Sequence, residues 1–597
     1  MIELFGYIGG GNEEREALDR FLAKTPTQYQ VRTGSRAMVA VHSLFQNVQI
    51  ADEKNVTAVL VGRPRDRERQ ASILARDYIA KGQDALQMLH GSYVGAVLDL
   101  SSGKGCAFVD RVATWPLYYA VLPRGGLAFS TRMDVLHQMG VSRKLRFQAL
   151  YDYLYFHVVP APQTVYEEVS SLRPGRAAVY RNIVEELRYW RLAYQEDGGG
   201  DFGALKDELL ALLEKAVGRV ADGRVGAFLS GGTDSSTVTG MLGRVHGQQP
   251  PRTFSIGFDE PGYDELDFAR TSAACFGAEP HEYKVTPADI VEAIPLIARA
   301  YEQPFGNSSA VPTYFCARMA ADAGIERLLA GDGGDELFAG NSRYAKQHML
   351  QAYHRLPEGG RRGLVEPLLA SFLGELPGLR KVRSYVNQAR IPMPERMETY
   401  NLLERLGPES VLTEDFLSQV DRRHPLQVLS AAYGDSNADT LLNRMLALDY
   451  QITLADNDLQ KVSRMCAMAG VEVAYPLLDD EIVAFSAKLP PGMKLKGGKL
   501  RWFFKSALSD FLPQQVLTKK KQGFGLPFGP WMNRHAGLAE MVGDSLSDLR
   551  KRRLVRNEVI DRLTNDLVSD HPGYYGTLVW VLVMLEQWFV VNGQESF

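Results

Sequence analysis

Hydrophobic and polar positions follow two different patterns along this chain, and the change falls near residue 200. Before it, short alternating segments are separated by turn residues such as GRPR, SSGKG and PRGG, which predicts a strand-rich region. The segments are NVTAVLVG (55–62), SYVGAVLDL (92–100), CAFVD (106–110), PLYYAVL (116–122) and GLAFS (126–130). We expect YDYLYFH (151–157) and RAAVYRN (176–182) to extend this region, which ends near YWRLAYQ (189–195).

The second pattern combines helical spacing with buried strands. FGALKDELLALLEKAVGRV (202–220) places apolar residues at helical intervals, whereas VGAFLS (225–230) and RTFSIGF (252–258) are typical of buried strands. Helical segments alternate with these strands, which favours a parallel α/β sheet. From about residue 345 the chain is mostly helical. Its last apolar stretch, 576–591, is interrupted by Glu586 and Gln587, so we expect a buried helix rather than a membrane span.

Length and composition support two domains in a globular protein. At 597 residues the chain is too long for one ordinary core, and the polar, glycine-rich segment EDGGGDFG (196–203) is the best linker. We therefore place one domain at 1–195, a linker at 196–204 and a second domain at 205–597. A net charge of −4 gives no argument for nucleic acid or an anionic membrane, and the four scattered cysteines form no metal-binding spacing. We expect a cytoplasmic protein without a nucleic-acid or membrane partner.

One loop after a predicted strand has the composition of an anion site. Its residues are Ser230, Gly231, Gly232, Thr233, Asp234, Ser235 and Ser236. A strand that passes into a helix exposes backbone N–H groups at the positive end of the helix dipole, and glycines let an anion approach closely. No lysine follows the glycines, so this is not the GxxxxGK[ST] loop. Asp234 would repel a bare phosphate, but it fits a site in which Mg²⁺ lies between carboxylate and phosphate.

A second acidic turn, Gly331-Asp332-Gly333-Gly334-Asp335-Glu336, also follows an apolar run and precedes a helical one. Strand ends of one parallel sheet meet at its carboxyl edge, where such folds bind ligands. The two turns together therefore predict a site for Mg²⁺ and a triphosphate.

The order of motifs resembles that of asparagine synthetases and their relatives. The motifs are SGGTDSS, TFSIGFDEPGYDELDFAR, GDGGDELFAGNSRY, KVSRMCAMAGVEVAYPLLDDEIV and KKKQGFGLPFGPWM, and the segments LHGSYVGAVLD and VDRVATWPLYYA resemble their glutaminase domain. The resemblance covers nearly the whole chain. It implies an N-terminal Ntn-like αββα sandwich, followed by a parallel-sheet α/β ATP-pyrophosphatase domain with a largely helical C-terminal part.

This resemblance implies a two-step ligation that uses ATP and Mg²⁺. A substrate carboxylate attacks the α-phosphate to give an acyl-adenylate and pyrophosphate, and a nitrogen nucleophile then displaces AMP. The loop 230–236 would hold pyrophosphate, and Asp234 and Asp335 would bind Mg²⁺. Base and ribose would lie against Leu229, Ser255, Ile256 and Gly331, although backbone packing alone would explain these four equally well.

A basic residue that stabilises phosphate charge is also implied, and its register is ambiguous. Alignment on FFKSAL places Arg501 there, whereas a shift of two residues places Lys499 there, which we prefer; a solvated basic loop is the alternative. Lys521 is a further candidate. Ala474 stands where relatives carry an arginine, so the contact of that arginine is in doubt.

The largest departure from the family lies at position 2. Relatives that hydrolyse glutamine begin Met-Cys-Gly and use the exposed cysteine as nucleophile. This chain has Ile2, and its first cysteine is Cys106. The arginine and asparagine motifs of a glutamine pocket have no match either. We therefore expect no glutaminase activity and a nitrogen donor other than glutamine.

Four functions are open at this stage. We favour a lasso-type macrolactam cyclase acting on a peptide, which would need a precursor-processing protease to free the α-amine. The alternatives are an ammonia-using asparagine synthetase, a β-lactam or carbapenam-type synthetase, and a non-enzymatic nucleotide-binding paralogue. An amine nucleophile needs a base, and Tyr344, with Glu336 or Asp332 near it in sequence, is a candidate; a structural tyrosine is the alternative.

Overall fold

The computed structural model describes residues 2–45, 47–65, 69–355, 357–361, 377–519, 525–563, 567–568 and 571–593.

Within its described residues, the N-terminal domain has twelve strands. They are β1 (Ile2–Ile8), β2 (Gln30–Thr33), β3 (Ala37–Ser43), β4 (Val48–Glu53), β5 (Val56–Pro64), β6 (Gly91–Asp99), β7 (Lys104–Val109), β8 (Tyr118–Val121), β9 (Leu127–Ser130), β10 (Ser170–Ser171), β11 (Arg176–Tyr180) and β12 (Val184–Arg188). They form two antiparallel six-stranded sheets, ordered β10-β8-β9-β1-β3-β2 and β12-β11-β7-β6-β5-β4. The predicted strand-rich region is confirmed.

Alternation along these strands produces a four-layer sandwich. In β5, Val59 and Val61 join the apolar cluster that fills the space between the sheets, whereas Ala58 and Leu60 face the helix Gln70–Lys81. In β1, Phe5 faces outward and packs with Leu18 of the helix Asn12–Lys24. Each sheet thus buries one face against the other sheet and one against helices, which confirms the αββα arrangement.

Five parallel strands form the sheet of the second domain. They are β13 (Val225–Phe228), β14 (Arg252–Phe258), β15 (Glu279–Val285), β16 (Arg327–Leu329) and β17 (Glu472–Ala474), in the order β15-β14-β13-β16-β17. The chain leaves β13 toward β14 on one side, and β16 returns on the other side of β13. This reversal of strand order creates a crevice at the carboxyl ends of β13 and β16.

Helices cover this sheet and make up the rest of the domain. The longer ones are Phe202–Gly218, Thr233–His246, Leu266–Cys275, Pro287–Ala300, Ala310–Asp322, Ser342–Gln351, Pro377–Arg390, His424–Gly434, Leu441–Asp449, Leu459–Met468, Asp480–Lys488, Ala536–Lys551 and Pro572–Val591. Shorter ones include Met133–Gln138 and Phe147–Phe156 in the first domain and Gly334–Phe338, Leu402–Leu406, Pro408–Val411, Glu414–Leu417, Pro491–Lys494, Trp502–Ala507, Gln514–Thr518, Phe528–Met532 and Asn557–Arg562 in the second.

The last helix, Pro572–Val591, is long and apolar enough to cross a membrane, but 67% of its apolar window is buried in this structure. It packs against Pro287–Ala300, Phe528–Met532 and Ala536–Lys551. Its one acidic residue, Glu586, accepts hydrogen bonds from Arg552 Nε and Nη2 at 2.5 and 2.7 Å. In this structure the segment is therefore a buried core helix, as Glu586 and Gln587 predicted.

One sequence-based assignment of secondary structure is wrong, and two strands of the second domain were not predicted. YDYLYFH belongs to the helix Phe147–Phe156, in which residues 149–155 are all buried. A helix that is buried on every side has no polar stripe, so its spacing cannot be told from that of a strand. The short strand β17 and the polar edge strand β15 were not predicted.

Candidate active site

The two glycine-rich turns meet at the crevice between β13 and β16. A Cβ added to Gly334 would lie 2.4 Å from Asp234 Oδ1, and one added to Gly331 would lie 2.8 Å from the backbone nitrogen of Ser235. Any side chain at these two glycines would therefore displace the first turn. The close approach of the turns, which the sequence predicted from their places after two strands, is confirmed by this packing.

The first turn presents an uncapped helix N-terminus. Gly231 has φ +65°, a backbone conformation that favours glycine, and Gly232 is the N-cap of the 14-residue helix Thr233–His246 without a capping side chain. Ser230 Oγ and Ser235 Oγ are hydrogen-bonded at 3.1 Å, and the Ser230 backbone nitrogen donates to Ser235 Oγ at 3.2 Å. These hydroxyls shape the loop around the N–H groups at the start of the helix, where Gly232 N donates to Ser230 Oγ at 3.4 Å, and this is the geometry of an anion site.

Ser236 differs from the rest of this loop. Its hydroxyl is fully buried and hydrogen-bonded to Ser272 Oγ at 2.8 Å. The side chain thus joins the helices Thr233–His246 and Leu266–Cys275 behind the loop, and a contact of Ser236 with pyrophosphate stays a prediction.

Four predicted nucleotide-binding residues lie at the strand ends. Leu229 and Ile256 are buried, and Ser255 Oγ donates to the Leu229 carbonyl oxygen at 2.6 Å. Gly331 is needed for the close approach of the turns. Packing accounts for all four in this structure, and their contact with a nucleotide stays a prediction.

Arg501 connects the two acidic turns. Its guanidinium donates hydrogen bonds to both carboxylate oxygens of Asp234, one of them at 2.7 Å, and to Asp335. Arg501 has φ +53° and precedes the short helix Trp502–Ala507. Because both carboxylates contact one cationic group, they lie close enough together to share a cation, which fits the predicted Mg²⁺ ligands.

The surroundings of Lys499 differ from those of Arg501, and the role of Lys499 stays a prediction. The Lys499 side chain is exposed, and its backbone pairs with Lys496 within the preceding turn. Arg501 instead occupies the place beside the two turns. Lys521 lies outside the described residues, but nearby Lys519, which the sequence analysis missed, donates from Nζ to the Ser230 carbonyl oxygen at 3.3 Å and pairs with Glu265 at 3.2 Å.

Tyr344 lies in a buried polar cluster. Its hydroxyl donates to Asp449, which also accepts from Arg343 Nε at 3.1 Å. The partner of Tyr344 is thus Asp449, not Glu336 or Asp332 as considered from the sequence. Asp449 ends the helix Leu441–Asp449, and its 105-residue separation from Tyr344 leaves no local sequence signal.

Asp332 and Glu336 of the second turn have raised pKa values. Burial raises the pKa of Asp332 to about 6, although Lys461 opposes the shift. Burial and the neighbouring carboxylate of Asp458 raise the pKa of Glu336 to about 8. Lys461 Nζ pairs with Asp458 at 2.8 Å, close to this group. A protonated Glu336 can donate a proton at neutral pH and an ionised one can accept it, so this group is suited to acid–base chemistry.

Ile2 and Ala474, the two departures noted in the sequence, both lie at the domain interface. Ile2 is 2% exposed and lines a cavity of about 590 Å³ between the domains. Ala474 ends β17 and is buried, and its carbonyl oxygen accepts from the Ala330 nitrogen at 2.9 Å. Neither side chain can supply a nucleophile or a charge.

Known proteins share this arrangement in sequence. The sequence model of the family described as Asparagine synthase matches residues 208–590, and that described as Glutamine amidotransferase domain matches residues 62–190. Asparagine synthetase [glutamine-hydrolyzing] 1 of Bacillus subtilis (strain 168) is 22% identical over 599 residues, which cover 99% of this chain and 91% of that protein.

Two further relatives align over most of the chain. Asparagine synthetase [glutamine-hydrolyzing] 3 of the same bacterium is 21% identical over 90% of this chain and 83% of its own length. Amidase chry2 of the fungus Gibberella zeae is 22% identical over 82% of this chain and 80% of its own length. With a family match across most of the second domain and both acidic turns in place, the chain belongs to the asparagine synthase family.

Proposed function

We propose that this chain, an ATP-dependent amide synthetase of the asparagine synthetase type, takes its nitrogen from an amine-bearing substrate and does not hydrolyse glutamine. Ile2 is the observation that carries this proposal. It begins β1, is buried, and has neither a nucleophilic nor an ionisable atom. A glutaminase of this kind needs a thiolate or hydroxyl at that position to attack the amide.

The first step would be adenylation of a carboxylate at the two acidic turns. The N–H groups of the turn 230–235 would bind phosphate oxygens. Asp234 and Asp335 would hold Mg²⁺, which supplies charge neutralisation to the phosphates when bound. Arg501, released from the two carboxylates, would face the leaving pyrophosphate, where a guanidinium stabilises developing negative charge.

The second step needs a group that removes a proton from the attacking amine. The amine nitrogen attacks the acyl carbon, the bond to AMP breaks, and one proton must leave the nitrogen. Tyr344, hydrogen-bonded to Asp449, and Glu336 are the groups that we assign to this transfer. Carboxylates around such a site also attract a substrate that carries an ammonium group.

The substrate that we put forward is a peptide with an acidic side chain and a free α-amine, joined as in a lasso-type macrolactam. A protease that frees the amine would then be the partner. Asparagine synthesis from ammonia is a second candidate, which the names of the curated relatives favour. A β-lactam or carbapenam-type reaction is a third: a tyrosine–glutamate pair helps to deprotonate the amine in β-lactam-forming relatives, and Tyr344 is here paired with an aspartate, Asp449.

Glutamate release from glutamine tests the proposal directly. Purified protein is incubated with glutamine, Mg²⁺ and ATP, beside the Bacillus subtilis glutamine-hydrolysing relative as a positive control. We expect no glutamate above the enzyme-free rate, while an added amine supports AMP formation from an accepted carboxylate. Glutamate release at a rate comparable with that of the control would overturn the proposal.

A further inference from the structure

The cavity at Ile2 is large enough for a ligand of its own. Its volume of about 590 Å³ lies within the roughly 300–1,000 Å³ typical of small-molecule sites. The N-terminal domain contributes Ile2, Arg65 and Trp115, and the second domain contributes Val473 and Leu478. Domain interfaces of this kind are common places for such sites.

Most of the cavity wall is apolar. Ile2, Val112, Val473 and Leu478 line it with aliphatic side chains that form no hydrogen bonds, and Trp115 adds an aromatic ring whose one polar group is the indole N–H. The polar groups at the Glu472 side are already occupied: Arg63 donates to Glu472 at 2.8 and 2.9 Å, and Asn47 donates to the same carboxylate at 3.0 Å. At the Glu472 side of the cavity, a glutamine side chain would have to compete with these existing hydrogen bonds.

The described residues that line the cavity carry an excess of positive charge. Arg63, Arg65 and Arg219 stand against Glu472 and Asp479, which leaves one positive charge over. Next to the cavity, hydrogen bonds from Arg219 and Lys215 lower the pKa of Glu481 to about 2, although burial opposes the shift.

Arg65 is the least engaged of these cations that line the cavity. Arg219 forms hydrogen bonds to Asp479 and Glu481, whereas the guanidinium of Arg65 has no hydrogen bond to any described residue. Its ion pairs are 3.7 Å to Asp479 and 4.0 Å to Asp480 and Glu481, longer than hydrogen bonds. Its donors are therefore available to a planar anion, which arginine binds in a bidentate manner.

We propose that this cavity binds a small molecule that combines a carboxylate with an apolar body, with Arg65 receiving the carboxylate and the wall from Ile2 to Leu478 enclosing the body. The replacement of a nucleophile by Ile2 converts a reaction pocket into an apolar binding pocket. The site is separate from the two acidic turns and goes beyond amide synthesis.

Calorimetric titration with 3-phenylpropionate tests this assignment. The control ligands are 3-phenylpropan-1-ol, which keeps the apolar body without the carboxylate, and glutamine. We expect saturable one-to-one binding of the acid, with the alcohol and glutamine at least tenfold weaker.

Variants separate the site from general charge effects. Arg65→Gln should weaken binding of the acid at least tenfold, Arg65→Lys should lose less, and Arg76→Gln, at an exposed position of the helix Gln70–Lys81, should leave it unchanged. Val473→Trp, which fills the cavity, should abolish binding even if Arg65→Gln fails to fold. Absence of saturable binding to the wild-type protein, or binding undiminished by both Arg65→Gln and Val473→Trp, would overturn the proposal without affecting the glutaminase assay.

Discussion

Substitution of Arg501 by alanine separates its role from that of Lys499. Arg501 contacts both Asp234 and Asp335, whereas the side chain of Lys499, two residues earlier, is exposed. Lys499→Ala is therefore a matched control that removes a positive charge from the same segment. Arg501→Lys keeps the charge but loses the planar fork that reaches both carboxylates.

The expected magnitudes follow from the burial of these groups. Removal of one partner of a fully buried ion pair costs about 3–5 kcal/mol. The Asp234 and Asp335 side chains are 21% and 20% exposed, so water screens them, and we expect Arg501→Ala to cost about 1–2 kcal/mol of unfolding free energy. Loss of a preorganised donor to developing charge should lower the rate of adenylation about 10²–10³-fold.

The assay is Mg²⁺-dependent ATP–pyrophosphate exchange with a carboxylate that the wild-type protein accepts, together with urea unfolding. We expect Lys499→Ala to stay within threefold of wild type and Arg501→Lys to fall between wild type and Arg501→Ala. A 100-fold loss of exchange in Lys499→Ala with near-normal exchange in Arg501→Ala would refute this assignment. That result would support Lys499 as the residue that stabilises the phosphate charge.

Three further predictions concern other parts of the chain. Tyr344→Phe should retain pyrophosphate exchange but slow amide formation about 10²–10⁴-fold, because only the second step needs a base; equal loss of both steps would contradict this. Ile2→Cys should not restore glutamate release from glutamine, since the cavity around it is largely apolar, and measurable release would show that only the nucleophile is missing. Burial raises the pKa of Asp456 to about 8, so the folded state binds more protons than the unfolded state between pH 4 and 8 and the free energy of unfolding falls across that range. Asp456→Asn keeps an acceptor for the Ala161 nitrogen and should reduce the difference in free energy of unfolding between pH 5 and pH 8, measured by urea unfolding. An unchanged difference would contradict the role of Asp456.

The site was predictable from sequence where its parts are local. Each acidic turn joins an apolar strand to a helix within about ten residues, so composition and order alone placed Asp234 and Asp335 at the same sheet edge. The switch of strand order between β13 and β16 then brings them together. A prediction from local sequence succeeds here because the backbone geometry of a strand–turn–helix connection depends on the residues of that connection.

Parts of the site that depend on distant packing were not predictable. Asp449 meets Tyr344 across 105 residues, and Arg501 meets Asp234 and Asp335 across 267 and 166 residues. The fully buried helix Phe147–Phe156 was assigned to strands for a related reason: surrounding elements, not its own spacing, decide its structure.

Incorporation of labelled pyrophosphate into ATP tests the central claim most directly. Purified protein is incubated with Mg²⁺ and ATP against aspartate and a panel of peptides with acidic side chains, with no amine added. We expect incorporation that requires both Mg²⁺ and a carboxylate and that is lost in Asp234→Asn. Incorporation that persists in Asp234→Asn, or turnover of ATP to ADP and phosphate with an accepted carboxylate, would contradict adenylation at these turns.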